Sequence, residues 1–269
     1  MSVTELRILG PLELQGPTGR VGLGGDKPRR LLGALALHAN KVVSADRLID
    51  LAWGDSPPRS AHANLLTYLS SLRRALRSCA GLSIQARPPG YCLLGDSESL
   101  DWLRFLDLAG AAREVDPGDP GKAGLFLREA LDLWRGPVLA DVADRLTLLQ
   151  PRIAALEEAR LSAQVRCIEA DLLAGRHAEV LGELAELTRD HPLHEQLRRQ
   201  QMLALYRCGR QADALAVFHQ LREHLADELG VDPGPGLGSL YEAILRADPQ
   251  LDHESARRPG GPAAAGGAG

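Results

Sequence analysis

No stretch of eighteen or more apolar, uncharged residues occurs in this 269-residue sequence, so no segment reads as a membrane-spanning helix. The opening MSVTELRILG has no basic run leading into a long apolar stretch, and the expected location is the cytoplasm. Paired cysteines are lacking too. Cys79, Cys92, Cys167 and Cys208 lie far apart, with no CxxC spacing and no histidine at zinc-finger distance, which excludes a zinc site and reads as four reduced thiols. Motifs for phosphate and catalytic chemistry are also missing. The one Gly-Lys pair, Gly121-Lys122, precedes alanine and lacks the upstream glycine of a phosphate loop. GLGGDK at 22–27 falls short of GxGxxG, HPLHE at 191–195 is not HExxH, and GxSxG is absent. Carboxylates are many, but their spacing is that of solvated helix faces. An enzyme is not expected, and neither is a cofactor or a bound metal.

What is present is ordinary globular composition, 45% hydrophobic and 25% charged, in a chain long enough for two domains with separate cores. A folded, soluble protein is expected. The net charge of -4 hides an asymmetry. Residues 1–94 hold 12 Lys and Arg against 6 Asp and Glu, and the remainder holds 19 against 29. Within the basic part, residues 56–94 carry Arg59, Arg73, Arg74, Arg77 and Arg87 and no carboxylate at all. Such a stretch presents an unneutralised positive field to a polyanion, although charge alone leaves a solvated basic face equally open.

Local patterns then suggest an order of elements. ELRILGPLEL and RVGLGG read as short strands, with Gly-Pro pairs supplying turns. From Lys27 the spacing of Leu31, Leu32, Leu35 and Ala36 is helical, with Asn40 as a stop. Ser44 is placed to cap a second helix that Gly54 ends. A third helix is expected to start near Asp55-Ser56-Pro57 and to run to about Ser78, with Leu65, Leu69, Leu72 and Leu76 inside. Opposite them the 100° wheel collects Ser60, Asn64, Thr67, Ser71 and Arg74, a face able to hydrogen-bond and free of acids. LSIQARPPGYCLL then gives a strand, a tight Arg-Pro-Pro-Gly turn and a second strand from Tyr91.

Strands, three helices and a hairpin form the order of a winged helix-turn-helix. The third helix would enter the major groove of double-stranded DNA, with Asn64, Thr67 and Ser71 at base edges and Arg74 at a guanine or a phosphate. Arg59, Arg73 and Arg77 would grip phosphates, and Arg87 would sit on the wing.

From Asp101 the chain reads as almost unbroken helix. Candidate segments are 103–114, 123–134, 148–174, 177–189, 195–208, 211–229 and 237–246, broken at Gly and Pro clusters such as 116–121. DLLAGRHAEVLGEL at 171–184 aligns with LYRCGRQADALAVF at 205–218, an offset of 34 residues, which is the tetratricopeptide period. The second copy lacks the closing proline that Pro192 supplies to the first. Trp53, Trp102 and Trp134 are expected in cores rather than stacked on bases. The fold class is therefore mainly α. A winged helix-turn-helix (α+β) over 1–96 precedes an all-α, tetratricopeptide-like domain over 100–250, and a disordered tail covers 251–269.

The chain resembles the Streptomyces antibiotic regulatory proteins, in which an OmpR-type winged helix precedes a bacterial transcriptional activation domain. The resemblance rests on LRILGPLEL, LGGDKPRRLLGALALHANKVVSADRLIDLAWGDSPP, YLSSLRRAL and RPPGY in the first part. In the second it rests on REALDLWRGPVLADV, LEEARLSAQVRCIEADLLAGRHAEV, HPLHEQLRRQQMLALYRCGRQADALAVF and LADELGVDPGPGL, about residues 5–247 in all. It implies an activator of secondary-metabolite biosynthetic genes that binds direct repeats near promoters as a side-by-side dimer and recruits RNA polymerase holoenzyme at the nucleoid. It also implies a recognition helix at 60–78 and a wing tip at 87–91. One departure is Ser71, where the family often has a basic residue before its Leu-Arg-Arg. Without the resemblance, a helical-repeat interaction scaffold or a repressor of the same fold remains open.

Overall fold

The computed structural model describes residues 5–77, 79, 81–116 and 118–252. Ser78, the expected end of the third helix, and all but two residues of the expected tail lie outside the described residues. The chain divides into two compact units, 1–115 with 125–164, and 116–124 with 165–269. Residues 100–115 and 125–164 thus pack in the same unit as the N-terminal region.

The first unit opens with an antiparallel sheet, β1 (Glu5–Arg7), β2 (Glu13–Gly16) and β3 (Gly19–Val21), in that spatial order. Alternation explains it: Leu6, Ile8, Leu12 and Leu14 are all fully buried. α1 (Asp26–Leu37) follows, with Leu31, Leu32, Leu35 and Ala36 inside, and Asn40 takes a left-handed φ of 63° just past its end. β4 (Val43–Ser44), only two residues long, leads into α2 (Ala45–Trp53). The Ser44 side chain accepts from Arg47 N at 3.2 Å, and Gly54 turns the chain out at φ 65°.

α3 spans Ala61–Leu76, five or so residues later than the Asp55-Ser56-Pro57 start expected from sequence. Two consecutive prolines account for the delay: Pro58 disfavours helical geometry at Pro57, and neither can donate an amide proton. Pro58 O instead accepts from Ala61 N in a turn, and the helical bonding begins with Asn64 N on Ser60 O.

The hairpin β5 (Ser83–Arg87) and β6 (Gly90–Leu94) closes the motif, and β4 pairs with β6 to make a second sheet, β4-β6-β5. That third strand requires Gly90. A Cβ there would stand 1.8 Å from Val43 O and 2.6 Å from Ser44 Cα.

α4 (Asp101–Glu114) is tied to β1 by its first residue. The Asp101 carboxylate, 1% exposed, accepts from Ile8 N and Leu9 N at 2.9 Å. Burial pushes its pKa up to about 6, against the lowering effect of those two amides. Residues 135–140 run along the same end of the sheet, with Arg135 N on Leu9 O at 2.8 Å and Leu139 N on Ile8 O at 2.9 Å. Trp102 Nε1 donates to Ala36 O at 3.1 Å, and Phe105 meets Trp134 edge to face at 5.3 Å, so both of these tryptophans serve the core.

α5 (Pro120–Leu131) starts three residues earlier than the spacing predicts, because Asp119 caps it by accepting from Lys122 N at 3.0 Å and Pro120 fits a first helical position. α6 (Gln150–Leu173) supplies residues to both units.

The second unit contains α7 (Leu181–Asp190), α8 (Glu195–Arg207), α9 (Gln211–Leu229) and α10 (Pro235–Leu245). Its core gathers Met202, Ala214, Phe218, Leu221, Leu225, Leu237 and Ile244. Both turn glycines of the 34-residue repeat are left-handed, Gly175 at φ 84° and Gly209 at φ 76°. The repeat is uneven beyond them. α9 begins directly after Gly209-Arg210, whereas turns fill 177–180 before α7 begins. Arg176 pairs backward with Asp171, while Arg210 pairs forward with Asp213. Cys79, Cys92 and Cys167 are buried, Cys208 is half-buried, and none of the four is joined in a disulfide.

Candidate nucleic-acid interface

The helix-turn-helix is held by an aromatic latch as well as by leucines. Trp53 at the end of α2 stacks on Tyr68 of α3 with centroids 6.0 Å apart, and Lys27 Nζ of α1 lies 4.9 Å above the Trp53 ring. On α3, Ala61, Leu65, Leu69, Leu72 and Leu76 are buried. That stripe fixes which side faces out.

The outer side is close to, but not centred on, the face read from sequence. Thr67, Ser71 and Arg74 are exposed, and Asn64 is half-buried. Measured from the buried leucines, the residues most nearly opposite are Ala63, Thr67, Ser70 and Arg74, and Ala63 and Ser70 are indeed exposed. Leu66 is 56% exposed on one flank of this face. Ala63 and Leu66 are missed by a search for hydrogen-bonding and charged types, and Ser70 because the face read from sequence is centred to one side of it. Taking the wheel's centre from the buried stripe brings in Ala63 and Ser70.

Two polar members are bonded locally. Asn64 Nδ2 donates to Ser60 Oγ at 3.1 Å, and Thr67 Oγ1 donates to Ala63 O at 3.1 Å. His62 Nε2 lies 3.8 Å from Asp46 of α2, and both are exposed.

The arginines fall into two groups. Arg73, half-buried, donates its Nε to Ile84 O of β5 at 2.9 Å, and its guanidinium lies 5.7 Å from the Tyr91 ring of β6. It fastens the hairpin to α3. Arg59 in the preceding turn, Arg74 in the last turn of α3, Arg77 just past its end, and Arg87 in the hairpin are all exposed. Arg87 pairs with Gly90 across the Pro88-Pro89 turn, and its Nη2 donates to Gln85 Oε1 at 3.3 Å. The structure therefore joins α3 and the hairpin into one surface with exposed arginines on both. The sequence behind that surface, 56–94, contains no acid.

Such a surface can neutralise phosphates from Arg59, Arg77 and Arg87 while presenting short side chains and Arg74 to base edges. Among the described residues no group of three or more His, Cys, Asp or Glu could hold a metal ion. No helix among them is long and apolar enough to cross a membrane.

Comparison with known proteins covers nearly the whole chain. A family described as bacterial transcriptional activator domain matches residues 100–245, and one described as transcriptional regulatory protein, C terminal, matches 23–93. Regulatory protein DnrI of Streptomyces peucetius is 40% identical over 264 residues, covering 95% of this chain and 97% of its own length. Regulatory protein AfsR of Streptomyces coelicolor is 44% identical over 251 residues, 93% of this chain but only 25% of AfsR. The chain thus spans about a quarter of that larger relative. Among solved structures, Mycobacterium tuberculosis EmbR in complex with a low affinity phosphopeptide superposes with a TM-score of 0.85 at 35% identity, covering 93% of this chain and 66% of the other.

Proposed function

The chain belongs to the Streptomyces antibiotic regulatory protein family of DNA-binding transcriptional activators, and on that premise we propose that it switches on secondary-metabolite biosynthetic genes by recruiting RNA polymerase holoenzyme. It binds direct repeats close to their promoters as a side-by-side dimer, at the nucleoid in the cytoplasm. Residues 1–96 form the DNA-binding module and 100–250 the activation domain.

The observation that carries this reading is the acid-free surface made by α3 and the hairpin. α3 lies in the major groove, with Asn64, Thr67, Ser71 and Arg74 toward bases. Arg59, Arg77 and Arg87 contact phosphates. Arg73 reaches a phosphate only with what its bond to Ile84 O leaves free, so its larger share is to hold the wing. A direct repeat suits such a module, because two copies in the same orientation present the same α3 to successive turns of one groove face. The acidic remainder of the chain, 19 basic against 29 acidic residues beyond position 94, suits contact with a protein rather than with DNA.

Run-off transcription with purified holoenzyme tests the proposal on promoter fragments from around the protein's own gene. More transcript on adding the protein is expected. Unchanged transcript despite specific binding would reject activation, and less transcript would make it a repressor.

A further inference from the structure

The first three turns of α3 expose no lysine or arginine, since none occurs between Arg59 and Arg73. Guanine is most often read in the major groove by a bidentate arginine or lysine, so bases facing those turns must be recognised otherwise. The polar groups there are partly committed: Asn64 Nδ2 to Ser60 Oγ, Thr67 Oγ1 to Ala63 O, and His62 beside Asp46. Apart from the exposed hydroxyls of Ser70 and Ser71 in the third turn, what remains on offer is apolar. Leu66 is 56% exposed and Ala63 is exposed. Thr67, its hydroxyl turned back onto the helix, presents its methyl group. Ala63, Leu66 and Thr67 sit at i, i+3 and i+4, so they form one contiguous patch. An exposed leucine inside a surface otherwise suited to a polyanion gains nothing from phosphate. The one apolar group that the major groove provides is the 5-methyl of thymine.

We propose that Leu66, flanked by Ala63 and the Thr67 methyl, is a specificity-determining residue that packs on the 5-methyl group of thymine. The target then carries thymine opposite the first turns of α3, and guanine reading is confined to the end where Arg74 stands. This rests on α3 lying in the major groove, and the experiment separates the two claims.

The full chain is used to select a site from a randomised duplex library. The selected duplex is then remade with each thymine in turn replaced by uracil, which removes only the methyl group. Wild-type protein is expected to lose about fourfold in affinity at one or two positions, the effect of one buried methyl. In Leu66→Ala and Leu66→Gln those positions lose their uracil penalty. Both variants change an exposed side chain, and circular dichroism checks that they remain folded.

A flat uracil series combined with weaker binding by Arg74→Ala overturns the thymine proposal while leaving α3 as the reading helix. A flat series with Arg74→Ala also without effect overturns both. A uracil penalty that persists undiminished in the Leu66 variants assigns the methyl contact to another residue and overturns the proposal as well.

Discussion

Helices α3 and α9 bury stripes of the same kind, Leu65, Leu69, Leu72 and Leu76 in one and Ala214, Phe218, Leu221 and Leu225 in the other. Their outer surfaces differ in sign. Asp213, Glu223, Asp227 and Glu228 are exposed on α9 beside Arg222, whereas α3 exposes Arg74 and no acid at all. Burial decides that each segment is a helix and which way it faces, and it constrains the outside hardly at all. An outer face is therefore free to suit what the helix meets, and the two suit different surroundings: the charge on α3 suits a polyanion, and that on α9 suits protein or solvent.

If the inner stripes are equivalent, truncating them should cost alike. Leu72→Ala and Leu221→Ala, both at fully packed positions, are each expected to destabilise their unit by about 2–5 kcal/mol in urea titrations. A cost near zero for either would break the comparison at its base.

The acid that the N-terminal unit places near the sheet is internal, not on its α3 surface, and pH exposes the difference. Asp101 has a folded pKa of about 6, above its unfolded value. Its contribution to stability is therefore full below the unfolded pKa and is lost as pH rises through about 6. Chemical denaturation of wild type and Asp101→Asn should show the wild-type advantage shrinking by about 2–3 kcal/mol between about pH 4 and pH 7. A pH-independent difference would show that Asp101 is not the group responsible.

Exchanging outer charges sharpens the contrast. Arg74→Glu should weaken binding to the selected duplex by about 100-fold, as a lost contact is joined by repulsion, while Glu223→Lys on α9 should change it by less than about twofold. Equal effects at the two sites would mean that net charge, not α3, governs binding. The smallest effect is expected at the wing: Arg87→Ala should weaken binding uniformly across sequences and reduce the slope of log K against log salt by about one, read from titrations at several salt concentrations.

Elements made by local chemistry were legible in the sequence. α2 needs only the Ser44 cap and the Gly54 exit, and α9 runs over the expected Gln211–Leu229 because a glycine turn precedes it and Gly230, left-handed at φ 67°, ends it. Long-range features were not legible. β4 is two residues long and exists because Gly90, 46 residues on from Ser44, lets the backbones meet. The Asp101 carboxylate answers amides 92 and 93 residues away. At the proposed interface, residue types single out α3, but the centre of its outer face depends on which leucines pack inward. For the same reason Leu66 escaped notice, since an exposed leucine looks in sequence like any other core leucine.

The central claim is that the α3 and hairpin surface reads specific DNA. The most direct measurement is equilibrium binding of the full chain to a promoter duplex from its own locus and to a scrambled duplex of equal length and composition, over a range of salt. Tighter binding to the promoter is expected at every salt, with log K falling linearly in log salt for both and Arg74→Ala lowering promoter affinity by about 1–3 kcal/mol. Equal affinity for the two duplexes throughout the range would contradict the claim.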